Sequence, residues 1–226
     1  MIIYGKQLFL HILSNKKDII KCVYLAKECD KGIFNQIIKA NLEVKRADFK
    51  KAQALARGGN HQGFLAEVED FVFCDISEVK KFDKIVILYG LSDVGNIGAI
   101  IRTAYALGMQ AVVIVSKSVA MEGVIRTSSG AAYEIPICIC KDGLSFINEL
   151  KQSGFSVYST ASGGEDVKNI KFETKTALIM GSEGEGIPRK VISKSDKCIG
   201  ICMKNSFDSL NVSAAFAIIC YRIMNE

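Results

Sequence analysis

Apolar positions along the chain switch repeatedly between helical spacing and short continuous runs of strand length. Lys6–Leu13 spaces its apolar residues as a helix, and Ile19–Leu25 is a strand-like run. Ile33–Ala40 predicts a second helix and Leu42–Val44 a short strand. Ala47–Arg57 is an amphipathic basic helix that stops at Gly58-Gly59, because glycine readily takes the left-handed conformation that ends a helix. Phe64–Val68 closes this first unit as a strand. From Asp70 to Asp83 the pattern turns acidic and mixed, which places a boundary there.

Beyond it, Lys84–Tyr89 (KIVILY) is apolar almost throughout, as expected of a strand buried on both faces. Strand-like runs recur at Ala111–Val115, Ile135–Ile139, Phe155–Ser159, Ala177–Met180 and Cys198–Cys202. Helical stretches fall between most of them, notably Ile97–Leu107 and Gly143–Ser153, with Val212–Met224 after the last. This alternation predicts an α/β protein: a small N-terminal α/β domain over residues 1–70, a linker over 71–83, and a mostly parallel sheet covered by helices over 84–226. The last helix is apolar nearly all round (Val212, Ala214, Ala215, Phe216, Ile218, Ile219, Tyr221), so it needs burial on more than one side and suits a subunit interface.

Composition adds a compact fold: 49% hydrophobic and 23% charged residues, two prolines and no low-complexity tract exclude a disordered chain. The net charge of +5 is unevenly spread. Residues 1–63 hold 12 Lys/Arg against 5 Asp/Glu, a balance of +7, whereas the remainder holds 17 against 19. A basic first third is either a module that meets a polyanion or a lysine-rich solvated surface. The eight cysteines form no C-x-x-C pair, and Cys198 and Cys202 lack a His or further Cys to complete a zinc site. They read as buried free thiols in a reducing cytosol, with no metal. The stretch after Lys6 is broken by His11 and lacks a cleavage site, and the apolar run near Val212–Tyr221 is too short for a bilayer, so the expectation is a cytoplasmic protein with no membrane association.

Three loops follow strands of the second unit, where open α/β sheets place ligands. The first, Leu91–Gly98, leads into a helix bearing Arg102, with Asn96 as a candidate cap. Arg102 either grips phosphate or makes a surface salt bridge. The second, Gly181–Pro188 (GSEGEGIP), has three glycines that let backbone approach a ligand, and sets Glu183 between them as a functional carboxylate or a helix N-terminal charge. The third runs from Ile201 to Ser213, with Ser209 and Asn211 as capping residues for the last helix. A dinucleotide-binding fold fits badly, since the first turn lacks the leading glycine of G-x-G-x-x-G and GSEGEG has the reverse spacing.

Taken together, DVGNIGAIIRTA (Asp93–Ala104), IMGSEGEGIP (Ile179–Pro188) and ICMKNSFDSLNVSAA (Ile201–Ala215) resemble the three signature motifs of the SPOUT superfamily, in its SpoU/TrmH branch of RNA ribose 2′-O-methyltransferases. GKQLFLHIL and Asn60–Gly63 resemble the substrate-binding domain of the bacterial 23S rRNA guanosine-2′-O-methyltransferase subgroup. Val94, Cys202 and Asn205 depart from the family's usual proline, proline and glycine.

The resemblance implies a C-terminal trefoil knot, a homodimer through the last helix, and S-adenosylmethionine held mainly by main chain at Gly181, Ile201 and Leu210. It implies that Arg102 holds phosphate and stabilises the developing alkoxide, that Glu183 orients Arg102 or receives the proton, and that Asn96, Ser209 and Asn211 position ribose and loops. An RNA partner is implied, rRNA before tRNA, with Lys45, Arg46, Lys50 and Lys51 as phosphate contacts. A non-catalytic RNA-binding assembly factor is the alternative from another class. Retention of Arg102, Glu183 and Asn211 speaks against it.

Overall fold

A computed structural model of the chain describes residues 1–182, 184–205 and 209–225. Two sheets organise it. The first contains β1 (Ile2–Tyr4), β2 (Ile20–Leu25), β3 (Val44–Arg46) and β4 (Phe64–Val68) in the order β1-β4-β2-β3. β4 runs antiparallel to β1 and β2, and β2 parallel to β3. Helices α1 (Lys6–Asn15) and α2 (Lys31–Lys39) pack on one face through Leu8, Phe9, Ile12 and Ile37. On the other face α3 (Phe49–Leu55) lays Ala52 against Leu65. Asp48 caps α3 by accepting from the Lys51 N–H at 2.7 Å, so the basic helix is shorter than its pattern suggests. β1 was not expected: three residues are too few to show a period, and its sheet partner is β4.

The second sheet has six strands in the order β10-β8-β9-β5-β6-β7, every neighbouring pair parallel. They are β5 (Lys84–Tyr89), β6 (Ala111–Val115), β7 (Ile137–Cys140), β8 (Ser156–Asp166), β9 (Thr176–Gly181) and β10 (Lys197–Gly200). Alternation along β5 explains the continuous apolar run. Val86 and Leu88 enter one core with α4 (Val94–Leu107), α5 (Met121–Thr127) and α8 (Val212–Met224). Ile85 and Ile87 enter the other, with α6 (Gly143–Gln152) and α7 (Arg189–Ile192). Cys138 and Cys140 share that second core, where burial pushes both thiols above their ordinary pKa.

Several expectations change. Cys22, Cys138, Cys140 and Cys220 are buried, but Cys29, Cys74 and Cys198 are half-buried and Cys202 is exposed. Helix α4 begins at Val94, earlier than its apolar period, because Asp93 caps it through the Asn96 N–H at 2.7 Å. Asn96 therefore sits inside the first turn and is not the cap. Helix α5 had no sequence signal, since its N-cap Ala120 makes no side-chain hydrogen bond. Residues 71–75 run past β7, with the Cys74 N–H donating to the Ile137 carbonyl at 2.9 Å, and Val79 of the following 3-10 turn is fully buried.

The two sheets are packed together. His11 Nε2 lies 3.1 Å from a Glu134 carboxylate oxygen, Arg57 pairs with Glu122 at 3.2 Å, and Arg126 donates to the Tyr4 hydroxyl. The Phe71 ring centre lies 5.2 Å from that of Phe73, edge to face, and 5.5 Å from that of Tyr133. Among the described residues, no helix is long and apolar enough to cross a membrane.

Helices α4 and α5 touch at Gly98, where a methyl group would overlap Thr127 Oγ1 and lie 2.8 Å from the Ser128 nitrogen. Thr127 is not free to move, because its hydroxyl donates to the Val94 carbonyl at 2.6 Å. Gly98→Ala is therefore expected to lower the unfolding free energy by ~1–3 kcal/mol in urea titration. A change within ~0.5 kcal/mol would show that the two helices separate without cost.

Candidate functional site

A concavity of about 790 Å³ opens at the C-terminal ends of β8, β9 and β10. Its first wall arises from a break in strand pairing. β10 pairs with β8 at Cys198↔Ser159, then resumes at Ile199↔Glu165, so Thr160–Gly164 arches out between the two paired stretches. The arch is pressed tightly onto β10. A Cβ on Gly164 would lie 2.5 Å from the Ile199 carbonyl carbon, and one on Gly200 would lie 2.7 Å from the Ala161 oxygen. Only glycine permits this approach.

The second wall follows β9. Gly186, at φ +66°, donates its N–H to the Ser182 carbonyl at 3.0 Å and folds the loop back over Gly181. A Cβ on Gly181 would lie 2.6 Å from the Gly186 carbonyl carbon, so this position too must be bare backbone. The third wall is Ile201–Met203 with Asn205, and α8 contributes Val212, Ala215 and Ile219. Polar groups near the mouth include Glu185 and Asp166. Backbone and side-chain hydrogen bonds from Lys168 hold the Asp166 carboxyl below its usual pKa, so it is charged at neutral pH.

Of the sequence candidates, Gly181, Ile201, Ser209 and Leu210 line this cleft. Asn211 caps α8, its side-chain oxygen accepting from the Ser213 N–H at 3.0 Å, and its Nδ2 donates to Asn96 Oδ1 at 2.9 Å. The first and third loops are thus joined by one side chain. Ser209 stands before the cap and is exposed at the cleft. Arg102 is exposed on α4 and is not among the residues lining the cleft. Glu183 lies outside the described residues. The Thr160–Gly164 arch was missed, although Ser162-Gly163-Gly164 after a strand was a readable sign of close backbone approach.

The three departures from the family pattern fall at the start of α4 and in the wall of the cleft. Val94 takes the first helical position of α4, where proline would also fit, and Asp93 fixes that turn instead. Cys202 and Asn205 both face the cleft. Among the described residues, no three His, Cys, Asp or Glu side chains group closely enough to hold a metal ion.

The basic candidates sit at the C-terminal end of β3 and on the helix that follows it. Lys45 and Arg46 end β3, and Lys50 and Lys51 lie on α3. Lys45 pairs with Glu43 at 3.1 Å, which with the nearby Cys22 raises its pKa, while Arg46 donates to the Lys27 carbonyl at 3.2 Å. Lys51 Nζ stands 5.8 Å from the centre of the Tyr24 ring.

The sequence model of the SpoU rRNA Methylase family matches residues 83–221, which contain every wall of the cleft. The chain belongs to this RNA methyltransferase family. A second model, described as RNA 2′-O ribose methyltransferase substrate binding, matches residues 2–72. Among curated SpoU/TrmH proteins, the chain is 29% identical to a TrmH family tRNA/rRNA methyltransferase of Bacillus subtilis (strain 168), over 99% of this chain and 95% of that one. In fold it is similar to the AdoMet-bound rRNA methyltransferase of Sinorhizobium meliloti (TM-score 0.80, 22% identity, 98% of this chain and 85% of that chain). It is equally similar to the SpoU methyltransferase AviRb of Streptomyces viridochromogenes in complex with AdoMet (TM-score 0.81, 20% identity, 99% and 89%).

The double use of Asn211 gives a stability test of this SpoU-family site. Asn211→Ala removes the cap of α8 and the bond to Asn96, and is expected to cost ~1 kcal/mol or somewhat more. Asn211→Asp keeps the acceptor for the Ser213 N–H and should recover most of that loss in chemical denaturation. If both variants lose stability equally, the bond to Asn96 outweighs the cap.

Proposed function

We propose that the chain transfers a methyl group from S-adenosylmethionine to the 2′-hydroxyl of a ribose in RNA, with a guanosine of 23S rRNA as the target. The observation that carries this is the cleft itself. It is walled by bare backbone at Gly164, Gly181 and Gly200 and floored by apolar α8 side chains. Its volume lies within the roughly 300–1,000 Å³ of sites for nucleoside-sized ligands. Main-chain N–H and C=O groups at Gly181, Ile201 and Leu210 can satisfy the donor and acceptors of an adenine edge, while Leu210, Val212 and Ile219 cover its faces. When bound, S-adenosylmethionine supplies an electrophilic methyl on sulfur.

The protein's own groups then do three things: align the hydroxyl with that methyl, dispose of its proton, and hold the adjoining phosphate. Arg102 holds the phosphate and stabilises the negative charge growing on the 2′-oxygen. Its guanidinium stays protonated, so it acts as an electrostatic group and not as a base. Its exposed place on α4, outside the cleft, suits a residue that meets the RNA and not the cofactor. Glu183 orients Arg102 or accepts the proton. Asn96 and Asn211, already bonded to each other, fix the start of α4 against the start of α8, and Ser209 lies beside the ribose. Pairing of two chains through α8 covers Ile218 and Tyr221, which are 45% and 60% exposed. A trefoil knot in the C-terminal third belongs to the same reading.

The first sheet carries the RNA. Residues 1–63 hold the +7 balance, and Lys45, Arg46, Lys50 and Lys51 are its phosphate contacts. Support for rRNA over tRNA comes from this module together with the rRNA in the names of the matched family and of the Sinorhizobium meliloti enzyme.

Incubation of the full chain with labelled S-adenosylmethionine and separate rRNA and tRNA pools is expected to label a guanosine 2′-oxygen of 23S rRNA. Preferential labelling of tRNA would overturn the substrate, and labelling of neither would overturn the reaction. Arg102→Ala should lower the transfer rate by about 10²–10³-fold with calorimetric affinity for the cofactor kept. Equal loss of cofactor binding would give Arg102 a structural role instead. Lys50→Ala with Lys51→Ala should reduce the slope of log affinity against log salt by roughly 0.7–0.9 per lysine. An unchanged slope would clear α3 of phosphate contact.

A further inference from the structure

Phe49 is an anomaly in a well-buried chain. It is 70% exposed, although α3 has a buried face at Ala52 against which an aromatic ring could pack. Leaving a ring of this size in water forgoes the stabilisation its burial would give. Ile218 and Tyr221 are exposed too, on the face of α8 that pairing of two chains would cover, and Val72 and Ile38 are exposed aliphatic side chains without a ring. Phe49 lies elsewhere, directly after the capping Asp48, with Arg46 three residues before it and Lys50 and Lys51 directly after it.

The local structure gathers more of them. Arg46 donates to the Lys27 carbonyl, and the Lys27 side chain is packed where a Cβ on Gly63 would lie 3.0 Å from it. The loop bearing Gly63 also holds His61, whose ring centre is 6.1 Å from that of Phe49 with the planes inclined at 53°. His61 is buried and held by the Gly63 N–H, which donates to its Nδ1 at 3.1 Å. A fixed ring thus braces one side of Phe49 and the rest of it is exposed, on the helix that carries Lys50 and Lys51, shortly after Arg46, which bonds the carbonyl of Lys27.

We infer that Phe49 is a stacking platform for an unpaired base of the RNA, set within the phosphate-binding patch of the first sheet. An aromatic face amid lysines and arginines is the combination that single-stranded nucleic acid recognises: the base stacks and the backbone follows the charges. A paired stem offers no free base face, so the site takes a loop, bulge or single-stranded junction. Charge sets the partner, since an apolar peptide gains nothing from four cations. The same end of the sheet reaches the second sheet through Arg57–Glu122 and Tyr4–Arg126 on α5, and α5 contacts the start of α4 through Thr127 and Val94. A surface path therefore leads from Phe49 to the Asn96–Asn211 junction. The inference deepens the RNA methyltransferase reading and rests on it.

The chain contains no tryptophan, so Phe49→Trp creates a single fluorescent reporter at the site. Titration of full-length Phe49→Trp with an unstructured single-stranded RNA oligomer should quench the emission, and a blunt duplex of the same length should quench it far less. Phe49→Ala should weaken single-strand affinity about 5- to 150-fold, the equivalent of the ~1–3 kcal/mol of one stacked base. Its salt slope should stay unchanged, because no phosphate contact is lost, and its thermal unfolding should match the wild type. Equal quenching by duplex and single strand, or unchanged affinity in Phe49→Ala, would overturn the platform. If wild-type protein methylates RNA while Phe49→Ala binds it equally well, only this inference fails. If wild-type protein neither binds nor methylates RNA, the underlying reading fails with it.

Discussion

The cleft depends on one interruption in a hydrogen-bonded ladder. β10 is an edge strand that pairs with β8 alone, and its partner jumps from Ser159 to Glu165 between Cys198 and Ile199. An ordinary bulge adds a single residue and bends a strand slightly. Here the surplus is a whole arch, Thr160–Gly164, which stands out from the sheet as the rim of a pocket. The arch stays put because bare backbone meets bare backbone at Gly164 and Gly200. Either Cβ would force the strands apart and withdraw the wall that Ile201–Met203 extends. Glycine weakens most strands, and here it is what allows two strands and a ligand-sized space to share one edge.

From that edge the chain is held again at Asn211. The residues lining the third wall, Cys202, Met203, Asn205, Ser209 and Leu210, all fall between Gly200, locked against the arch, and Asn211, bonded to Asn96. Pinning a loop at both ends lowers the entropy that a ligand would otherwise have to remove on binding. Asn211 does this while capping α8, so the helix carrying Val212, Ala215 and Ile219 to the cleft and the loop beside it are positioned by one side chain. A single amide therefore couples the stability of the last helix to the shape of the site.

Much of the fold was legible because burial writes itself into the sequence. KIVILY could only be a strand covered on both faces, and β5 indeed divides Val86 and Leu88 from Ile85 and Ile87 between two cores. Gly181 and Leu210 were expected as cofactor contacts from family motifs, and both line the cleft. What escaped was set by long-range contact. β1 exists because β4 accepts it, and α5 because Gly98 lets α4 come close. The arch escaped because only the register of β10 makes Thr160–Gly164 a wall and not a strand end. Asn96 looked like a cap, and Asp93 outcompeted it from three residues earlier, where a short carboxylate reaches the same free N–H groups.

The junction between the two sheets has the same logic of position against strength. Its Arg57–Glu122 ion pair is solvent-facing, with the Arg57 side chain 81% exposed. Pairs of this kind contribute about 0–1 kcal/mol each. A partly buried aromatic contact contributes more, at roughly 0.5–1.5 kcal/mol beyond the area it covers, and Phe71 makes two, to Phe73 and Tyr133. Leu8 and His11 of α1 also occupy the space a side chain at Gly130 would need. Apolar packing therefore holds the junction and the polar pairs select its orientation. The consequence is a fixed separation between the basic end of the first sheet and the cleft at the edge of the second. In the proposed reaction such a body measures distance along its RNA: a phosphate or base engaged at one end determines which ribose arrives at the other, before any contact with the target base itself.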